Sequence, residues 1–258
     1  MTVHPVPDLE PERFSLLSIF FPMWNEEDYI YRAVRAAKEV CEQLIEDGEI
    51  GDYELIIVDD ASTDSTPQLA DDLAASDPHV RVVHHERNRK LGGSIKSGYA
   101  AARGDLVLYT DADLPFEMRE LARAIRVLRH YEADMVCAYR LDRTGEGPQR
   151  AIYSWGYNWL VQLAFNTRLR DINFAFKLCR RRVLEHIELV SEGSFIDAEL
   201  SIRVQRLGFH IVQIGVDYFP RTRGVSTLSS PAVIGTMLKE MRGLRRELKT
   251  VTPVVERR

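Results

Sequence analysis

Gly104–Phe116 reads GDLVLYTDADLPF. Leu106 to Tyr109 are apolar, and the run then meets Asp111 and Asp113 and stops at Pro115. A compact apolar run bounded by turn residues reads as a buried strand, and a buried strand has no use for two negative charges at its tip. Alternation sends residues i and i+2 to the same side of a strand. Asp111 and Asp113 therefore converge as hard oxygen ligands of the kind that suit Mg2+ or Mn2+, above all where a substrate diphosphate completes the shell. The plain alternative is a strand end entering an Asx-turn or a helix cap. Asp-x-Asp alone does not decide between them.

The surroundings of the stretch do more. Buried-strand signals at Leu16–Pro22, Glu54–Val58, Val80–His84, Leu106–Thr110 and Met135–Tyr139 alternate with helical periodicity over Glu26–Asp47, Pro67–Ala75, Ser94–Ala102 and Glu117–Tyr131. Strands separated by helices imply parallel pairing with right-handed crossovers. The fold class is α/β: a single domain with a mostly parallel central sheet flanked by helices. Ligands of such sheets bind beyond the carboxyl ends of the strands, and the polar clusters fall there. Asn25-Glu26 follows the first strand, Asp59-Asp60 the second and Asp111/Asp113 the fourth.

Asp59 and Asp60 sit where a carboxylate accepts hydrogen bonds from a nucleobase N–H or a ribose hydroxyl, whereas Asp64 or Ser65 caps the helix that follows. Asn88–Ser94, NRKLGGS, places Gly92 and Gly93 before a helix. Exposed backbone N–H groups there suit an anion or the close approach of a sugar nucleotide, and a turn needing positive φ is the competing explanation. The stretch is neither a P-loop nor a GxGxxG fingerprint.

Composition excludes several classes. The chain of 258 residues is 45% apolar, enough for a sizeable core, and its net charge of −5 offers nucleic acid no global basic field. Three scattered cysteines, Cys41, Cys137 and Cys179, point to reduced thiols and a cytoplasmic setting. The N-terminus lacks the basic start and apolar run of a signal peptide, and no segment reaches the roughly 18 apolar residues of a membrane span. The nearest, Ala151–Thr167, is uncharged but carries Ser, Asn, Gln and Gly.

The expected organisation is a loose arm over 1–15, the α/β domain over 16–230, and a basic amphipathic helix and tail over 231–258. In that helix Val233, Ile234, Met237, Leu238, Met241, Leu244 and Leu248 form one stripe, and Lys239, Arg242, Arg245, Arg246 and Lys249 fill much of the rest. Such a helix lies in an anionic membrane interface or packs its stripe on the protein's own sheet. The first option makes the protein peripheral at the inner face of the membrane.

The motifs FPMWNEE, VDDASTDST, NRKLGGSIKSGYAAARGD and TDADLPF occur in this order. Together they resemble the family 2 glycosyltransferases of GT-A fold, and within them the dolichyl- or polyprenyl-phosphate mannose or glucose synthases. Ala138-Tyr139-Arg140, Asp171–Lys177 (DINFAFK), Phe195–Glu199 (FIDAE) and Arg221–Thr227 (RTRGVST) extend the likeness from about Leu16 to Thr227. The resemblance implies that Pro22, Trp24, Glu26, Asp59 and Asp60 frame the nucleotide, with Gly92, Gly93, Lys96 and Ala112 also in the donor site. Asp111 and Asp113 would hold the metal and diphosphate, and Arg140, Arg150 and Arg221 would meet the phosphates of donor and acceptor. Pro115, Thr227 and Ala175-Phe176-Lys177 depart from that branch, which commonly has a polar residue, a lysine and Gly-Phe-Arg there.

The implied reaction moves a hexose from a GDP- or UDP-sugar to polyprenyl phosphate with inversion, the cation and arginines stabilising the leaving diphosphate. A lipid phosphate is already an anion and needs only positioning, whereas a hydroxyl acceptor needs a carboxylate to take its proton. Asp197 and Glu199 are the candidates, Glu199 being the one that the resemblance supports; carboxylates at a helix start are also simply favourable electrostatics. The alternatives are a glycan or small-molecule hydroxyl acceptor, and a non-catalytic nucleotide-sugar-binding subunit.

Overall fold

The computed structural model describes residues 12–142, 148–219, 231–248 and 251–255. Seven strands form one sheet: β1 (Phe14–Met23), β2 (Ile50–Asp59), β3 (Val80–His84), β4 (Leu106–Thr110), β5 (Met135–Arg140), β6 (Phe176–Arg180) and β7 (Ile211–Val216). The helices are α1 (Ile30–Glu46), α2 (Thr66–Ser76), α3 (Lys90–Ala101), α4 (Glu120–His130), α5 (Pro148–Phe165), α6 (Arg181–Leu184), α7 (Ile196–Arg206) and α8 (Pro231–Glu247). Strand order is β3-β2-β1-β4-β6-β5-β7. All neighbours pair parallel except β6, which runs antiparallel to both β4 and β5. The expected mostly parallel sheet is present, and β6 and β7 complete it beyond the five strands read from the sequence.

β1 shows how alternation builds two cores. Leu17, Ile19, Phe21 and Met23 face the layer that contains Ile30 and Ala33 of α1 and Leu121 and Ile125 of α4. Phe20 faces the other layer, with Ile95 of α3 and Tyr109. That second layer needs Gly98, because a Cβ there would stand 2.1 Å from the Phe20 ring. Ser18, on the same face, sits buried with its hydroxyl donating to Glu54 (2.7 Å) and accepting the N–H of Gly104 (2.8 Å). A buried polar group in a sheet requires such partners.

α7 is buried from Ile196 to Val204. Phe195, Ala198 and Ile202 meet Val161 of α5 and Met237, Leu244 and Leu248 of α8 in a separate apolar cluster. The stripe of the last helix therefore packs on the protein, as one of the two expectations had it, but against helices α5 and α7 instead of the sheet. Its expected role as the membrane-inserting face is corrected for Met237, Leu244 and Leu248, which are buried, and for Met241, which packs on the same cluster; the side chains of Val233 and Ile234 lie outside the described residues. Among the described residues no helix is long and apolar enough to cross a membrane.

Candidate active site

The carboxyl ends of β1, β2 and β4 form one rim, and the loops that leave it are tied together. The Asn25 carboxamide accepts the Thr63 N–H (2.8 Å), the Ser62 hydroxyl accepts the Asn25 N–H (3.0 Å), and the Thr66 hydroxyl accepts the Glu26 N–H (2.9 Å). Asn25, Ala61 and Leu114, one after each of these strands, adopt φ of 57°, 57° and 48°. Left-handed backbone at non-glycine residues costs free energy and persists only where surrounding contacts enforce it. Its recurrence at these three exits marks the rim as a built site. Pro22 is half-buried here and Trp24 exposed.

Asp59 and Asp60 are both buried. Asp59 accepts the Ser62 N–H (3.0 Å) and pairs with His84 Nδ1 (2.9 Å). Asp60 Oδ1 accepts the Arg89 N–H (2.7 Å) and contacts His85 Nδ1 (2.6 Å), whose Nε2 reaches the Ser97 hydroxyl (2.8 Å). Burial alone would lower the His84 pKa, but its bonds to Asp59 and Asp71 outweigh that and raise it. The two histidines went unread in the sequence; their signal was a polar pair that closes the third strand, at the same sheet edge as the polar clusters of the other three.

Asp111 and Asp113 stand half-buried at the end of β4, with Ala112 buried between them. The buried Tyr109 hydroxyl donates to Asp111 Oδ1 at 3.3 Å. Pro115 is buried and its carbonyl accepts the Phe219 N–H (2.9 Å), so it adds structure to the rim. Among the described residues no group of three His, Cys, Asp or Glu side chains gathers to hold a metal. Two hard carboxylates nevertheless fit a divalent ion that takes its remaining oxygens from a diphosphate and water.

Gly92, Gly93 and Lys96 do a different job from the one expected. Neither glycine has positive φ; both lie in the first turn of α3. The Gly92 N–H donates to Glu192 O (3.0 Å) and the Gly93 N–H to Arg89 O (3.2 Å), so these donors are already satisfied. A Cβ on Gly92 would stand 2.3 Å from Ser191 O, and Lys96 Nζ reaches Val190 O and Glu192 Oε1, each at 3.4 Å. Gly92 and Lys96 dock the 190–192 loop, and Gly93 packs on Arg89, where a Cβ would stand 2.4 Å from the Arg89 Cβ; the expectation of anion-binding N–H groups is corrected.

Arg140 is likewise committed. Its Nε and Nη2 fork onto Asp171, each at 2.6 Å, and its N–H donates to the same carboxylate at 3.2 Å. The guanidinium lies over the rings of Tyr218 and Phe174, 5.1 and 5.8 Å from their centroids. The resemblance makes Arg140 a cation for the donor and acceptor phosphates; here its guanidinium is already held by a bidentate carboxylate. Arg221 lies outside the described residues, as do the Arg150 side chain and Thr227.

Asp197 and Glu199 occupy the first turn of α7 in contrasting states. Glu199 accepts the N–H groups of Val190 (3.0 Å) and Ser191 (2.7 Å) and Arg203 Nε (2.7 Å), while Arg203 forks onto Glu247 at 2.8 and 3.0 Å. This carboxylate is fully engaged. Asp197 is also buried, but its Oδ1 has no hydrogen-bond partner among the described residues. Burial pushes its pKa up to about 7, and the charge of Lys177 pulls it back only in part. Lys177 is itself buried, donating to Phe174 O at 2.9 Å. Tyr109 joins the two carboxylate sites: burial raises its pKa, and the charges of Asp111 and Asp197 both add to the shift.

Comparison with known proteins agrees with this architecture. Glycosyltransferase AglD of Haloferax volcanii is 33% identical over 210 residues, which are 80% of this chain and 33% of that protein. The chain thus spans about a third of that relative. Undecaprenyl-phosphate mannosyltransferase of Micrococcus luteus is 29% identical over 194 residues, 71% of this chain and 79% of that one. Glucosyl-3-phosphoglycerate synthase from Mycobacterium tuberculosis, solved with Mn2+, UDP-glucose and phosphoglyceric acid, superposes with a TM-score of 0.66 at 23% identity, covering 88% of this chain and 80% of that one. At that identity the likeness is one of fold. The family model described as glycosyl transferase family 2 matches residues 18–188, and the chain belongs to that family: it is a glycosyltransferase.

Proposed function

We propose that this glycosyltransferase moves a hexose of mannose or glucose type from a GDP- or UDP-sugar to polyprenyl phosphate, inverting the anomeric centre. The observation that carries the reading is the shared rim: Asp59 and Asp60 at the tip of β2 and Asp111 and Asp113 at the tip of β4, within a family 2 chain. Asp60, held by His85 and the Arg89 N–H, is positioned to accept from the base, and the exposed Trp24 indole flanks the same rim. Asp111 and Asp113 would hold Mg2+ or Mn2+; the neighbour crystallised with Mn2+ and UDP-glucose supports a divalent ion. When bound, such an ion supplies Lewis-acid stabilisation of the leaving diphosphate. Arg150 and Arg221 remain the proposed phosphate cations. The acceptor class is supported by the name of the Micrococcus luteus relative, and a phosphate acceptor needs no proton removed at neutral pH.

One observation favours a second reading, with a hydroxyl acceptor. Asp197 is a buried carboxylate with one unpartnered oxygen and a pKa near 7, which suits a general base. Glu199, with its oxygens taken by Arg203 and two N–H groups, suits that role far less.

Both readings are tested together by incubating the protein with Mg2+ or Mn2+, GDP- and UDP-sugars, and a short-chain polyprenyl phosphate. The first expects an acid-labile lipid-phosphate sugar, and Asp197→Asn that retains much of the transfer. Transfer only to hydroxyl acceptors, lost in Asp197→Asn while donor binding survives, would replace it with the second.

A further inference from the structure

Helix α5 carries two stripes a half-turn apart. Tyr157, Val161 and Phe165 point inward and belong to the cluster with α7 and α8. Trp155, Trp159 and Leu163 follow the same i, i+4, i+8 spacing on the opposite side and are 69%, 54% and 67% exposed. Single exposed apolar residues are ordinary, but two tryptophans and a leucine in one row form a contiguous patch that marks an interaction surface.

The charge around that patch says what covers it. Helix α5 contains no Asp or Glu. Arg168 and Arg170 are exposed just beyond its C-terminal end, and α8 presents Lys239, Arg242, Arg245 and Arg246 to solvent. Arg245 and Arg206 line one cleft with Ala164, Phe165 and Asn166, the residues that directly follow Leu163. Basic groups therefore gather at the C-terminal end of α5, where the apolar row ends at Leu163, on a chain whose net charge is −5. Of the two acids on α8, Glu247 is taken by Arg203 and Glu240 meets the Glu192 N–H. A second copy stacked on this face would bring no carboxylate of α5 to meet these cations. An anionic lipid surface complements both features, apolar below and negative at the headgroups.

We propose that α5 and the basic face of α8 dock the protein on anionic bilayers. Trp155, Trp159 and Leu163 enter the interfacial layer, where tryptophan is favoured, and the arginines and Lys239 face the lipid phosphates. The apolar stripe of α8 does not insert; it holds that helix against α5 and α7 and leaves its charges facing solvent near the C-terminal end of α5. The proposal stands apart from the acceptor assignment, since binding to vesicles needs no turnover.

The test uses the full chain with vesicles of phosphatidylcholine alone and of phosphatidylcholine mixed with phosphatidylglycerol. Co-sedimentation is expected only with the anionic mixture, accompanied by a blue shift of tryptophan emission. Trp155→Gln with Trp159→Gln is expected to weaken binding at least about tenfold, and Arg242→Gln, Arg245→Gln and Arg246→Gln together on the order of 100-fold, with the salt dependence flattened. Leu163→Gln provides a milder variant should the double one misfold by circular dichroism. Wild-type protein that ignores anionic vesicles, or variants that bind them unchanged, overturns the proposal. So does a dimer that the tryptophan variant dissociates while vesicle binding persists. With detergent-dispersed polyprenyl phosphate the tryptophan variant should transfer sugar at the wild-type rate. Absence of any transfer by the wild type would sink the acceptor reading and leave vesicle binding as it was.

Discussion

The two halves of the molecule are held by different means. From β1 to β4 the rim is fixed by single hydrogen bonds, in which apolar strands set the spacing and side chains of Asn25, Ser62, Thr66 and Asp59 bond to backbone N–H groups of the adjoining loops. From β5 onward the fixing groups are buried ion pairs, one within helix α7 and the others between segments. Arg140 takes Asp171, Glu199 takes Arg203, and Arg203 takes Glu247 across 44 residues. The first arrangement tolerates the loss of one bond, because each is worth only about 1 kcal/mol. The second does not, because removing one member strands a desolvated charge.

Glu199→Ala is the sharpest way to break that contrast. It leaves Arg203 facing only Glu247 and releases the N–H groups of Val190 and Ser191, so urea unfolding should show a loss of about 3–5 kcal/mol. Full stability with abolished turnover would make Glu199 catalytic and reverse the account of this half. Asp113→Ala should do the opposite. On the half-buried rim it is expected to cost at least about 100-fold in transfer rate with little change in urea midpoint. It should also remove the stabilisation that Mn2+ plus nucleotide sugar confers on the wild type in a thermal-shift assay.

That same contrast decides what the sequence discloses. The five strands from Leu16 to Tyr139 were readable because each is a short apolar run closed by polar residues, and every boundary fell within a few residues of the observed one. Asp59, Asp60, Asp111 and Asp113 were readable because periodicity of two and the parallel topology place them on one edge. Strand β6, FKLCR, was not, since Lys177 and Arg180 interrupt its pattern; one is buried by a carbonyl and by proximity to Asp197, the other forks onto Glu12. Gly92 was misread because its partner, the carbonyl of Glu192, is 100 residues away, beyond the reach of any local pattern. The states of Asp197 and Glu199 also escaped: burial and Lys177 of β6 set the first, and the Val190 and Ser191 N–H groups with Arg203, itself held by Glu247 of α8, set the second.

Asp197→Asn probes a buried carboxylate of the second half whose Oδ1 has no hydrogen-bond partner among the described residues. In the folded protein its pKa is pushed up to about 7 from 3.8. The folded state therefore holds a proton that the unfolded chain has released between these values. Stability from this group is complete below about pH 4 and is lost as pH rises to 7. The amide carries no such penalty, so the variant should match the wild type near pH 4. By pH 8 it should be the more stable by about 2 kcal/mol. A constant difference across urea titrations at both pH values would show that Asp197 does not titrate in this window.

His84→Gln asks the same question of the first half and expects the smallest answer. The His84 pKa is raised in the folded state, by its bonds to Asp59 and Asp71 acting against burial. Its stabilisation is therefore fully present below the unfolded value of 6.5 and disappears as pH rises through the folded value. The ring is partly exposed and the Asp71 contact is in solvent, so the loss in the variant should be no more than about 0.5 kcal/mol at pH 5.5 and should vanish by pH 9. Asp59 would keep its Ser62 N–H bond, and donor binding measured at pH 9 should be unchanged. A large loss that persists at pH 9 would mean that the rim of the first half also depends on a single buried pair, and the distinction between the halves would fall.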